Sequence, residues 1–208
     1  MKWIVPLVVT AMPANAESAL EWLTTRSAPA IVAEAGTWTT PSGIAYAIDP
    51  LTLFGGDNPI ADLPQTAATI VGFHPLDVTD RVSLMALIWS DQPVLCGDDV
   101  ATIGVDTGLA AFVGPSDLPV LENYGAQWET LYAGPYAEQI DAFYPGPILI
   151  DLPGASGFPL SGSGWGDGGY PVATLKDAEG RVTALYTQFI TAEGEDWLLP
   201  SPCADGTS

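Results

Sequence analysis

The sequence predicts an α+β fold: a mostly antiparallel β-sheet or sandwich with a few short helices to one side. Three observations carry this reading. Near-continuous apolar runs recur along the chain at strand length, about four to eight residues. The 19 prolines and 22 glycines are spread rather than repeated, so the chain turns often and its elements are short. Two alternating segments, Tyr170–Lys176 and Val182–Ile190, flank Asp177-Ala178-Glu179-Gly180, and this reads as a β-hairpin in which Gly180 supplies the positive φ of a short loop.

The elements follow in order. Glu17–Arg26 places acidic residues at its start, Leu20, Trp22 and Leu23 in its middle and Arg26 at its end, as a short helix aligned with its dipole does. Ile44–Ile48 reads as a strand that stops at Asp49-Pro50, because the residue before proline is pushed out of helical geometry. Gly55–Pro59 is a strong turn signal. Ala67–Phe73 and Val82–Trp89 read as neighbouring buried strands. Ala101–Val113 continues the pattern through Val105-Asp106-Thr107-Gly108, and Ser116 and Asp117 can cap a helical turn after it. Between Tyr124 and Tyr144, aromatic and aliphatic residues recur at helical spacing around Gly134-Pro135, which predicts two short helices or one kinked helix. Ile148–Ile150 is a short strand, and Gly154–Gly169, with seven glycines, reads as a loop.

Residues 1–16 read as a signal peptide. Lys2 precedes an apolar run, Trp3–Met12, in the length range of a signal-peptide core and too short to span a bilayer, and Ala14-Asn15-Ala16 has the small-x-small pattern of a cleavage site. Residues 17–208 are then expected to be one exported, soluble domain, periplasmic or secreted. Export gives Cys96 and Cys203 a meaning, since a pair in an oxidising compartment is expected to form a disulfide.

Net charge is −20, from 25 acidic and 5 basic residues. Such a surface repels nucleic acid and anionic lipid headgroups, so neither nucleic acid nor membrane is an expected partner. The chain is nonetheless not a disordered polyanion: 48% of its residues are hydrophobic and 10% aromatic, enough for a core. The acidity itself reads as a solubility or salt adaptation rather than a site.

Several segments carry more specific patterns. They are Gly43–Pro50, of the form Gly-x-x-x-Ala-x-Asp-Pro in its spacing; Arg81–Trp89; Val105-Asp106-Thr107-Gly108; and Ser163–Val172, Ser-Gly-Trp-Gly-Asp-Gly-Gly-Tyr-Pro-Val, leading into the hairpin. In this order, over most of residues 17–208, they resemble a bacterial family known as domain of unknown function 4241. Two positions depart from the family pattern: Leu109, where threonine is frequent, and Gln188, where an acidic residue is frequent. The resemblance implies motif boundaries and a fold, and carries no activity with it.

Individual residues also carry chemical patterns. Val105-Asp106-Thr107-Gly108 is similar to the catalytic loop of aspartic proteases, but a bilobal enzyme needs a second Asp-Thr/Ser-Gly and the chain has none. The bland reading is that Asp106 accepts backbone hydrogen bonds at a strand turn. Gly164–Gly169 fits Gly-x-Gly-x-x-Gly, yet Pro171 and a strand follow where a dinucleotide site needs a helix. There Trp165 is expected to pack and Asp167 to close the loop by accepting amide hydrogens. His74, the sole histidine, reads as a packed or hydrogen-bonded ring, and Arg81 as the partner of Asp77 or Asp80. Trp128, Tyr132, Tyr136 and Tyr144 read as core, with a sugar-stacking platform as the alternative. Oxygen-rich turns at Asp57, Asp98-Asp99 and Asp177–Glu179 do not match an EF-hand loop, and neither a metal nor a cofactor is expected. The expectation is therefore a non-enzymatic binding or interaction domain for an unknown ligand or protein partner. Its candidate site comprises Asp106, Asp167, Trp165 and Tyr170. The alternative is a hydrolase using paired carboxylates around Asp106 and Asp167.

Overall fold

A computed structural model describes residues 17–53, 55, 58–125, 135–191, 193 and 195–204. Residues 1–16, read from sequence as a signal peptide, and Trp128, Leu131, Tyr132 and part of the Gly55–Pro59 turn lie outside the described residues. Among the described residues the order is α1 (Ala19–Arg26), β1 (Ala30–Trp38), β2 (Tyr46–Ile48), β3 (Ala68–Pro75), β4 (Leu84–Ile88), β5 (Cys96–Val105) and β6 (Leu109–Val113). Then come α2 (Leu118–Gly125), α3 (Pro135–Phe143), β7 (Ile148–Ile150), β8 (Phe158–Gly162), β9 (Gly168–Lys176) and β10 (Val182–Gln188).

The strands form two sheets, a six-stranded one in the order β1-β3-β4-β10-β9-β5 and a four-stranded one in the order β2-β6-β8-β7. Every paired neighbour is antiparallel. The sheets face each other across a shared core. Met85, Leu87, Val172 and Leu185 of the large sheet meet Ala47 and Phe112 of the small one. Period-two alternation sends the intervening residues outward, and these are apolar too. Val71, Phe73, Leu175 and Tyr186 on the outer face of the large sheet are covered by Ala19 and Leu23 of α1. Ile48, Ala111, Val113 and Leu160 on the outer face of the small sheet are covered by Leu121 of α2 and Ile140 of α3. The α+β sandwich is as expected, but the helices lie on both outer faces rather than one. Each sheet carries an apolar outer face and each must exclude water from it.

Local signals explain most elements. Ser18 caps α1: its Oγ accepts the Glu21 amide hydrogen, while the Glu21 carboxylate accepts the Ser18 amide hydrogen at 2.9 Å. Those bonds favour the ionised form and hold the Glu21 carboxyl below its ordinary range. β3 and β4 pair as expected, from Thr69 opposite Ile88 to Phe73 opposite Leu84. Two strands escaped the sequence reading. β1 is interrupted by Glu34 and by a bulge between Glu34 and Gly36. β8 lies inside the glycine-rich region read as a loop, and is a strand because β6 and β7 pair with it on either side.

Cys96 and Cys203 form a disulfide that spans 107 residues. It ties the C-terminal segment beside β5, where the Gly97 amide donates to the Ser201 carbonyl at 3.0 Å. Further along, the Leu198 amide donates to Gln188 Oε1 at 2.6 Å and the Tyr186 hydroxyl donates to the Leu198 carbonyl at 2.6 Å. Gln188 is thus a clamp for the tail. Leu109 is buried in the small sheet's outer cluster.

Replacing both cysteines with serine should lower unfolding free energy by about 4–5 kcal/mol, the loop-entropy value for a ring of roughly 100 residues, measured by denaturant titration with and without reductant. Burial raises the Tyr186 phenol, and the charge of Asp99 adds to it. The neutral phenol is therefore favoured in the folded state, and its contribution is complete below the unfolded value of about 10 and lost as pH rises above it. The denaturation midpoint should fall above about pH 10, and Tyr186→Phe should flatten that fall while costing about 1 kcal/mol at neutral pH for the lost hydrogen bond.

Candidate functional site

The motif segments meet at one end of the sandwich. The join begins at Asp49, which follows β2 and is fully buried. Its carboxylate accepts the amide hydrogens of Asp106 and Thr107, both at 2.8 Å, and the Thr107 hydroxyl at 2.9 Å. It also accepts the Leu51 amide at 3.0 Å. These bonds fix the turn Asp106–Gly108, where the chain leaves β5 of the large sheet and enters β6 of the small one. Gly108 has φ of +71°, which an L side chain rarely adopts. Its carbonyl then accepts the Ser163 amide hydrogen at 2.9 Å, so the third motif rests on the second.

The Ser163–Gly168 loop is closed by hydroxyls. Ser163 Oγ donates to the Gly166 carbonyl at 2.7 Å, and the Tyr170 hydroxyl donates to the same carbonyl at 2.8 Å. Tyr170 is buried in the inter-sheet core, edge-on to Phe189 with ring centroids 5.3 Å apart. Burial raises its phenol, the Ser163 side chain opposes the shift, and the negative charge of Asp167 adds to it. Gly164 has φ of +63°, and a Cβ there would stand 2.7 Å from Ile190 Cγ1. A side chain at 164 is thus excluded, and the following one, Trp165, lies on the outside.

Trp165 is 62% exposed, against the expectation that it packs. Its indole is held from one side by Arg81, whose guanidinium lies 4.7 Å from the ring centroid and donates to the Gly164 carbonyl. Among the described residues Arg81 makes no salt bridge with Asp77 or Asp80, as it was expected to. The Arg81 carbonyl is 3.1 Å from His74 Nδ1, which makes the sole histidine a hydrogen-bonded structural ring. Beside Trp165 lies a cleft of about 610 Å³ with apolar walls that include Pro29, Leu76, Val78 and Ile190, and with Asp77 and Glu193 at its margin.

The two candidate carboxylates reach the same sheet end. Val105 pairs with Gly168, so Asp106 and Asp167 occupy the next position along the β5–β9 ladder. Both are exposed. Among the described residues neither carboxylate accepts a hydrogen bond, so the loop-closing roles expected of them belong to Asp49 for the first loop and to Ser163 and Tyr170 for the second. Neither lines the Trp165 cleft.

A second cleft, of about 830 Å³, opens at the far end of β9, where it includes Thr174, Lys176 and Arg181. Its cations are committed: Lys176 to Asp98 at 2.7 Å, and Arg181 to Asp177 at 2.8 Å and Glu179 at 2.9 Å. The oxygen-rich turns at 98–99 and 177–179 therefore carry their own counter-charges. Among the described residues no group of three or more histidine, cysteine or acidic side chains is placed to hold a metal ion. Tyr144, read as core, is exposed.

The sequence presented Asp49 only as a strand stop before proline. Its burial, which makes the carboxylate need donors, comes from the assembled sheets and leaves no mark in the local sequence. Asp49→Asn should destabilise the protein by about 2–4 kcal/mol, because an amide nitrogen then faces the Asp106 and Thr107 donors it cannot accept from. Asp106→Asn, on an exposed side chain, should change stability by no more than about 0.5 kcal/mol. Thermal and denaturant unfolding of the two variants tests the difference.

No family model matches the chain, and neither a curated protein nor a solved structure matches it.

Proposed function

We propose that this protein is an exported, non-catalytic interaction domain that recognises a polypeptide partner at the Trp165 corner. The observation that carries the reading is the exposed indole itself. Trp165 is stacked on Arg81 beside an apolar cleft, and Leu76, on the cleft wall, is 60% exposed. Large apolar side chains held rigidly in water contribute little to the fold, and such patches mark contact surfaces. The disulfide fits an oxidising compartment, and no described helix is long and apolar enough to cross a membrane. Those facts, with the signal-peptide pattern of residues 1–16, support export to the periplasm or beyond.

The likeness to domain of unknown function 4241 belongs to the same proposal. Its support is that Asp49, the Asp106–Gly108 turn and the Ser163–Gly166 loop, one from each of three motif segments, are joined by hydrogen bonds. A second reading, hydrolysis by the carboxylates of Asp106 and Asp167, is favoured by their neighbouring positions at one sheet end.

The apolar dye bis-ANS distinguishes the readings. It should bind the native protein, quench Trp165 fluorescence and lose most of its binding in Trp165→Ala and in Leu76→Asp, with unfolding temperatures nearly unchanged. The double variant Asp106→Asn, Asp167→Asn should bind the dye as the parent does. Dye binding indifferent to Trp165 and Leu76 would overturn the proposal.

A further inference from the structure

The Trp165 corner continues into a free sheet edge. β1 is the end strand of the large sheet, so its outer edge carries no strand among the described residues. Its first half, Ala30-Ile31-Val32-Ala33, is apolar, with Ile31 52% and Val32 37% exposed. The strand begins directly after Pro29, a wall of the Trp165 cleft, and the Leu76 amide donates to the Pro29 carbonyl at 3.1 Å. Ile31 lies opposite His74, His74 contacts the Arg81 carbonyl, and Arg81 stacks on Trp165. Ile31 therefore shares the His74 face of the sheet, while Val32, paired with Phe73, points to the opposite face, and Leu76 and Trp165 line the cleft that opens where β1 begins.

An unpaired edge exposes a row of backbone donors and acceptors, and the group that satisfies such a row is another extended backbone. Natural edges are usually blunted by lysine, proline or a covering loop. Here the lone charge on β1 is Glu34, and its bulge comes only after the apolar half. Charge selects among possible strands. Glu34 lies on β1 and Asp77 and Glu193 line the cleft, with Arg81 the cation stacked on Trp165, on a chain of net charge −20. A second copy of this chain would bring the same charge to the same edge, which disfavours self-pairing. A basic segment would be drawn in.

We infer that β1 takes up an extended, lysine- or arginine-flanked apolar segment of a partner protein as an additional strand, with one apolar side chain of that segment seated in the cleft beside Trp165. This rests on the proposed role of the Trp165 corner and names the kind of partner it takes.

The test uses the full exported chain and a synthetic peptide of alternating valine and threonine flanked by lysines. Two control peptides carry glutamates as flanks or N-methyl groups on alternate backbone amides. Binding is followed by intrinsic tryptophan fluorescence, with the Trp165 contribution read as the difference between the parent and Trp165→Ala, and by amide hydrogen exchange. The lysine-flanked peptide should slow exchange of the β1 amides around Ile31–Glu34 by about tenfold or more. The glutamate-flanked and N-methylated peptides should not, and added salt should weaken the effect. Equal binding of the N-methylated peptide, or a Trp165 signal with no protection of β1, would overturn strand addition and leave the Trp165 reading standing. Protection of β1 that survives Trp165→Ala would do the reverse, keeping strand addition and removing the cleft from it. Concentration-dependent dimers with β1 protected in the absence of peptide would assign the edge to a second copy and overturn the inference.

Discussion

The buried carboxylate of Asp49 is the interaction on which the motif end of this molecule depends. The chain passes from the large sheet to the small one through the Asp106–Gly108 turn, and that turn presents two amide hydrogens and a hydroxyl toward the interior. Buried donors without acceptors are costly, and a single carboxylate satisfies all three with two oxygens. Because Asp49 itself ends β2 of the small sheet, the same bonds tether the crossing to its neighbour strand. The Ser163 loop then rests on Gly108, and Trp165 takes its outward position from that loop. A change at Asp49 is therefore felt two loops away, at the Ser163–Gly168 loop that carries Trp165.

The chain repeats this device. Asp117 is buried ahead of α2 and accepts the Ser156 amide at 2.7 Å together with its hydroxyl. Asp177 is buried in the β9–β10 turn and accepts the amides of Glu179 and Arg181 at 3.0 and 2.9 Å. In a chain with 25 acidic residues, these buried acids act as loop clamps, while most of the others make up a solvated negative surface. The four cations beyond residue 16 are used as sparingly. Arg26 secures the start of the described chain through Glu17, Lys176 and Arg181 hold the far end of the hairpin, and Arg81 supports Trp165. Exposed ion pairs of this kind contribute only about 0–1 kcal/mol each, so their role is to fix geometry more than to stabilise.

This division bears on function. The negative surface sets which partners approach, by repelling anions and drawing in basic ones. Under the proposed role, the Trp165 corner and the β1 edge set where they bind. The core contributes neither property. Apolar contacts on both faces of the large sheet and a disulfide across 107 residues hold the scaffold, which leaves the corner free to keep apolar side chains in water.

Much of this was legible in the order of residues. β3, β4, β7 and the β9–β10 hairpin announce themselves because their signals are local: an apolar run, an alternation, a turn with glycine at the bend. The capped helix α1 is legible for the same reason, and the cysteine pair because it stands alone in the chain. β1 and β8 were not legible, since one is broken by a bulge and the other exists only through strands that pair on either side of it. The site residues divide in the same way. Sequence pointed to Asp106, Asp167, Trp165 and Tyr170 as one group, and they do lie at one end of the sandwich. It gave Trp165 a packed role and Asp106 and Asp167 loop-closing ones, whereas Trp165 faces water, Ser163 and Tyr170 close the second loop, and the acid that holds the Asp106 turn is Asp49, 57 residues away in sequence. Composition and local pattern determined the class of fold, the charge and the redox pairing, because those follow from residues near one another or from totals. Which carboxylate is buried, which strand is left at an edge and which tryptophan is left outside were decided by tertiary structure alone, because burial and pairing belong to the assembled sheets and to no segment by itself.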